Sequence, residues 1–286
     1  MARLKLVLAF FALMILTAGV AGAAYYWQKY VQPQKEVVET IANKDPETKP
    51  DLGRKHYDRA LAFIDEGELI SARNELQYML EIYPESPTIT EAKRVLGELN
   101  LDLIFSKIPM EKKSEYHVKS GDAWSVVARR NKTTFDYIMR ANGKTTTLIY
   151  KGEDLLVYDF SDCEAEIDLD AKTLTVKEGG KFIKEYKILD HNLPSHFPSK
   201  TSTSISEKVA WFKDGSVNFM SSNYLHSRKW IRTGKMGLFI RQQLDEDEVE
   251  EGDTKPYGVM VAKTDMEELF SILRGGSKVS VLPPND

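Results

Sequence analysis

The segment from residue 116 to 158 constrains the fold more than any other part of the chain, because strand, turn and helix signals follow one another closely in it. A short alternating run at 116–118 ends at Gly121, which predicts a strand followed by a turn. Asp122 can then cap a helix whose apolar residues, at 126–128, face inward. The first half of the segment is therefore expected to be strand, turn and helix.

A second helix and a second strand complete the segment. Thr133 or Thr134 can start the helix, which carries apolar residues on one face, and Asn142-Gly143 supplies a left-handed stop. Residues 155–158 then form the closing strand. A βααβ unit of this size, residues 115–158, has little core of its own. We therefore expect it to be carried by a larger protein.

The order of motifs in this segment resembles that of the lysin motif (LysM), a small module that binds polymers containing N-acetylglucosamine. The shared features are Y-x-V-x-x-G-D at residues 116–122, the apolar helix that contains Ala128, the asparagine after the second helix, and G-x-x-L at residues 152–155. The resemblance implies a shallow groove between two loops, and a partner that is peptidoglycan or another N-acetylglucosamine polymer. It points to a protein of the cell wall.

The two loops that the resemblance identifies hold the candidate glycan-binding residues. Backbone groups would meet the acetamido group, and an apolar shelf would take its methyl and the sugar face. Gly121 lets the backbone approach a ligand closely. A turn and a helix cap explain Gly121 and Asp122 equally well, and Trp124 stands where the family usually has an aliphatic residue. The candidates are Gly121, Asp122, Ala123 and Trp124 in the first loop, and Leu148, Ile149 and Tyr150 in the second.

The amino terminus predicts an address in the cell envelope. Two basic residues precede the uncharged stretch 6–27, which is long enough to span a bilayer and ends in three aromatic residues suited to the membrane surface. We predict a transmembrane helix over residues 1–27, a membrane as partner, and the rest of the chain in the periplasm. The alternative is a cleaved signal peptide with Ala21-Gly22-Ala23 as its cleavage site. Residues 28–50, polar and interrupted by prolines, are expected to be a linker.

Residues 51–107 have helical periodicity with the offsets of one tetratricopeptide repeat, in which small residues let two helices pack closely. A third helix over residues 88–105 is expected to cover the exposed face of the pair. Because binding grooves are built by stacking several repeats, we expect a spacer or a packing platform, with binding of a protein partner as the alternative. The repeat positions are Ala60, Phe63, Gly67, Leu69, Ala72, Leu76, Met79 and Pro84.

Residues 159–283 have the alternating pattern of a β-rich domain. Within it, residues 170–188 resemble the opening of the L,D-transpeptidase catalytic domain, which crosslinks peptidoglycan peptides, and residues 264–281 resemble that family's final helix, glycine turn and last strand. The fold class that we predict is multidomain α+β: a transmembrane helix, a short repeat-like helical hairpin, the βααβ module and a mostly β domain. The predicted strands are 165–169, 173–177 and 182–188, with a hairpin turn at Glu178-Gly179-Gly180.

The residues that carry catalysis in the L,D-transpeptidase family are missing from this chain. That family's nucleophile is a cysteine in a Ser-His-Gly-Cys-x-Arg segment, because a thiolate attacks the peptide carbonyl. The corresponding positions here are Tyr257, Gly258, Val259 and Val261, and Arg241 stands where an upstream histidine is usual. We therefore predict a protein without catalytic residues that binds the wall. The alternatives are an active L,D-transpeptidase with an unrecognised nucleophile, and a scaffold that recruits wall enzymes.

Composition limits the other sites and partners. The single cysteine, Cys163, rules out an internal disulfide and a cysteine-rich metal site, and the five histidines show no metal-ligand spacing, so we predict neither metal nor other cofactor. A net charge of −4 argues against nucleic acid as a partner. Residues 107–151 carry ten Lys and Arg against four Asp and Glu, which either attract anionic wall polymer or form a solvated surface. The acidic run 245–253 is expected to be a solvated loop, with cation binding as the alternative.

Overall fold

The computed structural model describes residues 19–32, 35, 51–213, 215–244 and 257–283. The chain divides into two compact units, residues 1–50 and residues 51–286. The acidic run 245–253 lies outside the described residues.

The predicted transmembrane helix is not found among the described residues of the first unit. Residues 19–26 are helical and continue into a π-helical turn, Trp27–Val31, but no helix among the described residues is long and apolar enough to cross a membrane. A span needs about 20 consecutive apolar residues, whereas the described helix already contains Gln28 and Lys29. The prediction is therefore corrected. Residues 1–18 of the predicted span, and most of the predicted linker, lie outside the described residues.

The second unit begins with three helices: α1 (Arg54–Asp65), α2 (Leu69–Ile82) and α3 (Ile89–Phe105). Gly67, in the left-handed region at φ +78°, makes the turn between α1 and α2. The small side chains of Ala60 and Ala72 are fully buried between the helices, as close packing of a helix pair requires.

Helix α3 also packs against the β-rich part of the unit. Asn100 is 1% exposed, and its amide donates to the carbonyl oxygens of Phe182 at 3.2 Å and Ile183 at 2.8 Å. Gly97 lies against Lys184, whose Cγ would be 3.0 Å from an added Cβ. The helical segment is therefore packed directly on the strand that contains residues 182–184.

The βααβ segment consists of β1 (Lys113–His117), α4 (Trp124–Arg130), α5 (Phe135–Ala141) and β2 (Asp154–Tyr158). The two strands pair antiparallel, with His117 opposite Asp154. Thr134 caps α5 by accepting a hydrogen bond from the backbone N–H of Tyr137 at 3.0 Å, and Gly143 follows the helix at φ +60°. The predicted start and stop of this helix are confirmed.

The β-rich part forms one mixed sheet in the order β5-β4-β3-β12-β7-β9-β10-β11-β6, with β8 paired to β7. Strand β7 joins the two halves, since its first residues pair with β12 and its later ones with β9. Helix α6 (Lys263–Ile272) precedes the last strand. The strands are β3 (Cys163–Asp168), β4 (Thr173–Glu178), β5 (Lys181–Lys187), β6 (Asp190–Asn192), β7 (Thr201–Phe212), β8 (Gly215–Val217), β9 (Arg228–Thr233), β10 (Phe239–Gln242), β11 (Gly258–Val261) and β12 (Lys278–Val281).

The βααβ segment and the β-rich part share one hydrophobic core. Polar contacts join them as well. The hydroxyl of Thr134 donates to the carbonyl of Ser271 in α6, and Arg140 forms an ion pair of 3.0 Å with Glu267 in the same helix. The βααβ segment is thus packed against the rest of the second unit and is not a separate module on a linker.

Candidate functional site

The first predicted loop of the groove is open at Gly121. This residue has φ +82°, a conformation that favours glycine. No atom lies within 4 Å of the position that a Cβ would take. A ligand can therefore reach the backbone here, and both Gly121 and Ala123 are exposed.

Asp122 does not cap helix α4. Its carboxylate accepts hydrogen bonds from the backbone N–H of Lys119 and the hydroxyl of Tyr116, both at 2.8 Å, and pairs with Arg130 at 2.7 Å. The hydrogen bond from Lys119 is the largest cause that holds the pKa of Asp122 below its usual range. The capping position belongs to Ala123, which has no side-chain acceptor. Asp122 holds the first loop in place, and both of its carboxylate oxygens already accept hydrogen bonds within the protein.

Trp124, the last predicted residue of the first loop, is 2% exposed. Its indole N–H donates to the carbonyl of Thr147 at 2.6 Å, and its ring meets Phe135 edge-on at 5.2 Å between centroids. The side chain is therefore too buried to be a shelf for a sugar. Instead it joins the start of α4 to the second loop.

The second predicted loop presents two exposed apolar side chains. Leu148 is 55% exposed and Tyr150 is 65% exposed, whereas Ile149 is half-buried and packs against the core. The carboxylate of Glu153 braces the loop through an ion pair with Lys144 and by accepting from the backbone N–H of Tyr150 at 3.3 Å. Of the seven predicted residues, those left accessible are Gly121, Ala123, Leu148 and Tyr150.

Two cavities between the βααβ segment and the β-rich part were not predicted. One, of about 290 Å³, lies between residues 145–148 and residues 219–225. The other, of about 470 Å³, adjoins α5 and the β7–β8 hairpin. Both are formed by residues far apart in sequence, so that no local pattern could have indicated them.

The larger cavity contains a buried group of ionisable side chains. Lys208 donates to the carbonyl of Phe270 and lies 3.7 Å from Asp136, which accepts from the hydroxyl of Tyr224 at 2.9 Å. Burial lowers the pKa of Lys208 to about 8, although the nearby negative charge of Asp136 acts to raise it. Thr133, only 6% exposed, lines the same cavity with a hydroxyl that has no hydrogen-bond partner.

The predicted remnant of a catalytic segment forms strand β11. Gly258 has φ +120°, and an added Cβ would overlap the carbonyl oxygen of Phe239. Val259 and Val261 are completely buried, and Val259 lies opposite Ile240 of β10. Tyr257, by contrast, is half exposed. The side chains of Val259 and Val261 therefore point into the core.

Arg241, which we predicted to stand in place of an upstream histidine, is 4% exposed. Its guanidinium lies 4.1 Å from the centre of the Trp230 ring and donates to the carbonyl of Tyr257 at 3.3 Å. Burial, together with the charge of Arg228, lowers its pKa to about 10. Its side chain supplies no base at neutral pH.

Cys163, the single thiol of the chain, lies on β3, and four strands separate it from β11. It is 4% exposed. Burial, and to a smaller extent the negative charge of Glu178, raise the pKa of its thiol. Both effects disfavour the thiolate, which is the nucleophilic form.

Half of the ten basic residues of segment 107–151 form ion pairs with neighbouring carboxylates. Lys112, Arg130, Lys132, Arg140 and Lys144 all form ion pairs. Attraction of an anionic polymer by this surface is correspondingly weaker than the composition alone indicates. Within the described ranges, no group of three or more His, Cys, Asp and Glu side chains could hold a metal ion.

The model of the LysM domain family matches residues 116–157, and this part of the chain is a LysM domain. No curated protein matches the chain.

Several solved structures are similar to the chain at low identity. L,D-transpeptidase 1 of Mycobacterium tuberculosis is 14% identical over 46% of this chain and 67% of its own, with a TM-score of 0.28. An L,D-transpeptidase of Stackebrandtia nassauensis is 14% identical over 85% and 98%, with a TM-score of 0.30. A fused zinc-dependent amidase, peptidase and peptidoglycan-binding protein of Clostridium acetobutylicum is 11% identical over 42% and 51%, with a TM-score of 0.31. The chain thus spans about half the length of this last protein. Similarity at these levels of identity and TM-score assigns no reaction to the present chain.

Proposed function

We propose that this is a cell-envelope protein that binds peptidoglycan, or another polymer of N-acetylglucosamine, through its LysM domain. LysM domains bind such polymers, and the matched domain at residues 116–157 is the observation that carries the proposal. The polymer lies outside the cytoplasm, so the proposal includes export of the chain.

The geometry of the two loops supports glycan binding. Gly121 leaves its backbone open to a ligand, and the exposed side chains of Leu148 and Tyr150 offer an apolar and an aromatic surface to a sugar face. Sites for small ligands generally combine apolar surface with a few polar groups that fix orientation. In our proposal, the backbone of Gly121 takes that second role.

We further propose that the β-rich part has no L,D-transpeptidase activity. The segment that we align with the family's nucleophile, residues 255–261, contains no thiol in either of two registers one residue apart, and its Val259 and Val261 are completely buried. The one thiol lies on β3. The buried guanidinium of Arg241 replaces a histidine that could accept a proton. The thiol of Cys163 donates to the carboxylate of Glu178 at 3.7 Å, but burial and that negative charge raise the pKa of the thiol and disfavour the nucleophilic thiolate.

Co-sedimentation with purified peptidoglycan sacculi tests the binding function. We expect the full chain to pellet with sacculi, and the double variant Leu148→Ala/Tyr150→Ala to bind about tenfold more weakly, because it loses the apolar surface of the groove. Met236→Ala is the matched control, since Met236 is 89% exposed and lies outside the LysM domain. Equal pelleting of all three proteins would show that these loops are not the site.

Incubation with a carbapenem tests the absence of transferase activity. Intact-mass measurement of the full chain is expected to show no acyl adduct. A stoichiometric adduct would favour the alternative of an active enzyme, and peptide mapping would then identify its nucleophile.

A further inference from the structure

The cavity of about 290 Å³ adjoins the LysM domain on the side of its second loop. One wall is the LysM loop 145–148, the other consists of residues 219–222 and 224–225 of the β-rich part, and Met139 of α5 also lines it. We call it the interdomain cleft. Its volume is at the lower end of pockets that hold small ligands, about 300–1,000 Å³. It therefore suits roughly one sugar residue.

The wall from the β-rich part is held rigidly against the LysM domain. The ring of Phe219 packs on Phe135 of α5 with 4.7 Å between centroids. The hydroxyl of Tyr224 donates to Asp136, also in α5, at 2.9 Å, and this pair is buried. The cleft is therefore formed before any ligand arrives, which lowers the ordering cost of binding.

The chemistry of the cleft matches an uncharged sugar. Its lining contains hydroxyl groups at residues 145–147 and 221–222, and no Lys, Arg, His, Asp or Glu. The same lining exposes Leu148, Met220 and Leu225, each more than half accessible at 55%, 58% and 59%. Hydroxyl groups beside apolar surface fit a pyranose ring, which has hydroxyls at its edge and C–H groups on its faces. A charged ligand would find no counter-charge here.

The cleft is continuous with the LysM groove through one loop. Leu148 is a predicted residue of the groove and also lines the cleft. The carbonyl of the preceding residue, Thr147, accepts the indole hydrogen bond of Trp124, which is next to Ala123 in the other groove loop. A polymer bound between the two loops therefore has to pass only the second loop, at Leu148, to reach the cleft.

We propose that the interdomain cleft is a second carbohydrate subsite, which takes a neighbouring sugar residue of the glycan strand held by the LysM groove. This rests on the proposed function. It makes the β-rich part a contributor to glycan binding, with Met220 and Leu225 as its contacts.

Isothermal titration of the full chain with N-acetylglucosamine oligomers of different length tests the subsite. We expect the double variant Met220→Ala/Leu225→Ala to bind a hexasaccharide about tenfold more weakly than the unaltered protein does. Its affinity for a trisaccharide, which on this proposal stays within the LysM groove, is expected to be unchanged. Met236→Ala again serves as the control for an exposed methionine elsewhere. Both altered side chains are exposed, and an unchanged unfolding midpoint verifies that the variant is folded.

The outcomes separate the subsite from the function on which it rests. If the unaltered protein binds the oligomers and the double variant binds each length as tightly as the unaltered protein does, the subsite is refuted and the LysM function stands. An equal loss for both lengths also refutes it, since the two residues would then belong to the primary groove. If the unaltered protein binds neither length, both proposals fail.

Discussion

The indole of Trp124 holds together the two loops of the LysM groove, and a conservative substitution can isolate this role. Trp124→Phe keeps an aromatic ring in the core but removes the donor to Thr147, which is 2.6 Å away. We expect a loss of about 1 kcal/mol in the free energy of unfolding and weaker pelleting with sacculi. Urea unfolding and sedimentation measure the two effects. Unchanged binding by a destabilised variant would mean that the indole hydrogen bond does not position the loops.

Lys208 makes stability depend on pH in a defined window. Burial lowers its pKa from the ordinary 10.5 to about 8 in the folded protein, where Asp136 of α5, Lys229 of β9 and Glu267 of α6 surround it. Between these two values the unfolded chain holds a proton that the folded chain lacks. The free energy of unfolding therefore rises with pH across this window.

The substitution Lys208→Met tests this dependence. Relative to the variant, the unaltered protein is expected to gain up to about 3 kcal/mol between pH 7.5 and 10.5. Urea unfolding at a series of pH values measures the difference in free energy of unfolding between the two proteins. The other lysines and tyrosines titrate in both proteins, so their contribution cancels in this difference. Parallel stability curves for the two proteins would contradict the lowered pKa.

Single-residue roles were predictable from sequence only where they depend on near neighbours. Thr134 caps α5 as expected, because its acceptor serves a backbone N–H three residues later. Asp122 was wrongly predicted as a cap, because Arg130 and Tyr116 both attract its carboxylate. The contact of Trp124 with Thr147 joins residues 23 positions apart, and nothing in the local pattern indicates it.

Among the strands, β11 has the strictest local requirement. Gly258 begins it at φ +120°, and a side chain there would overlap the carbonyl oxygen of Phe239. Gly258→Ala is expected to cost more than about 3 kcal/mol, since both backbone strain and a clash with backbone follow. Thermal unfolding measures the cost. Gly275→Ala is the control, because its Cβ would meet no atom within 4 Å and its φ is not positive; comparable losses in the two variants would contradict this explanation.

Strands and helices were predictable where their signals are local, and their arrangement was not. The hairpin of β4 and β5 turns at Gly179 and Gly180, both at positive φ, as the sequence indicated. The parallel pairing of β10 with β11 and the bridging role of β7 bring distant segments together. Such long-range pairing depends on the whole core and leaves no periodic signature in any one strand.

At the scale of the whole molecule, the shared core predicts that the LysM domain and the β-rich part unfold together. The contacts of Asp136 with Tyr224 and of Arg140 with Glu267 cross between them, in addition to the continuous apolar core. In a variant that keeps only Trp124, the fluorescence transition in urea is expected to coincide with that of circular dichroism. A separate early transition of Trp124 would indicate that the LysM domain unfolds by itself.

The sequence predicted the kinds of domain better than their relation to one another. The motif order of residues 116–122 and 152–155 identified the LysM domain, which the family match confirms. A multidomain chain behind a transmembrane helix was expected, with no prediction of how the LysM domain packs against the β-rich part. The described structure instead has a LysM domain packed into its neighbour, and it lacks a membrane-spanning helix among the described residues. Boundaries in sequence composition do not reveal whether adjoining domains bury surface against each other.

The packing of α5 against α6 and the loop 219–225 has a mechanical consequence. A LysM domain on a flexible linker can swivel, so that tension on its glycan is absorbed by the linker. Here the aromatic contact of Phe135 with Phe219 and the ion pair of Arg140 with Glu267 remove that freedom. If the LysM domain binds a glycan strand as we propose, a pull on that strand is transmitted through these contacts to the mixed sheet.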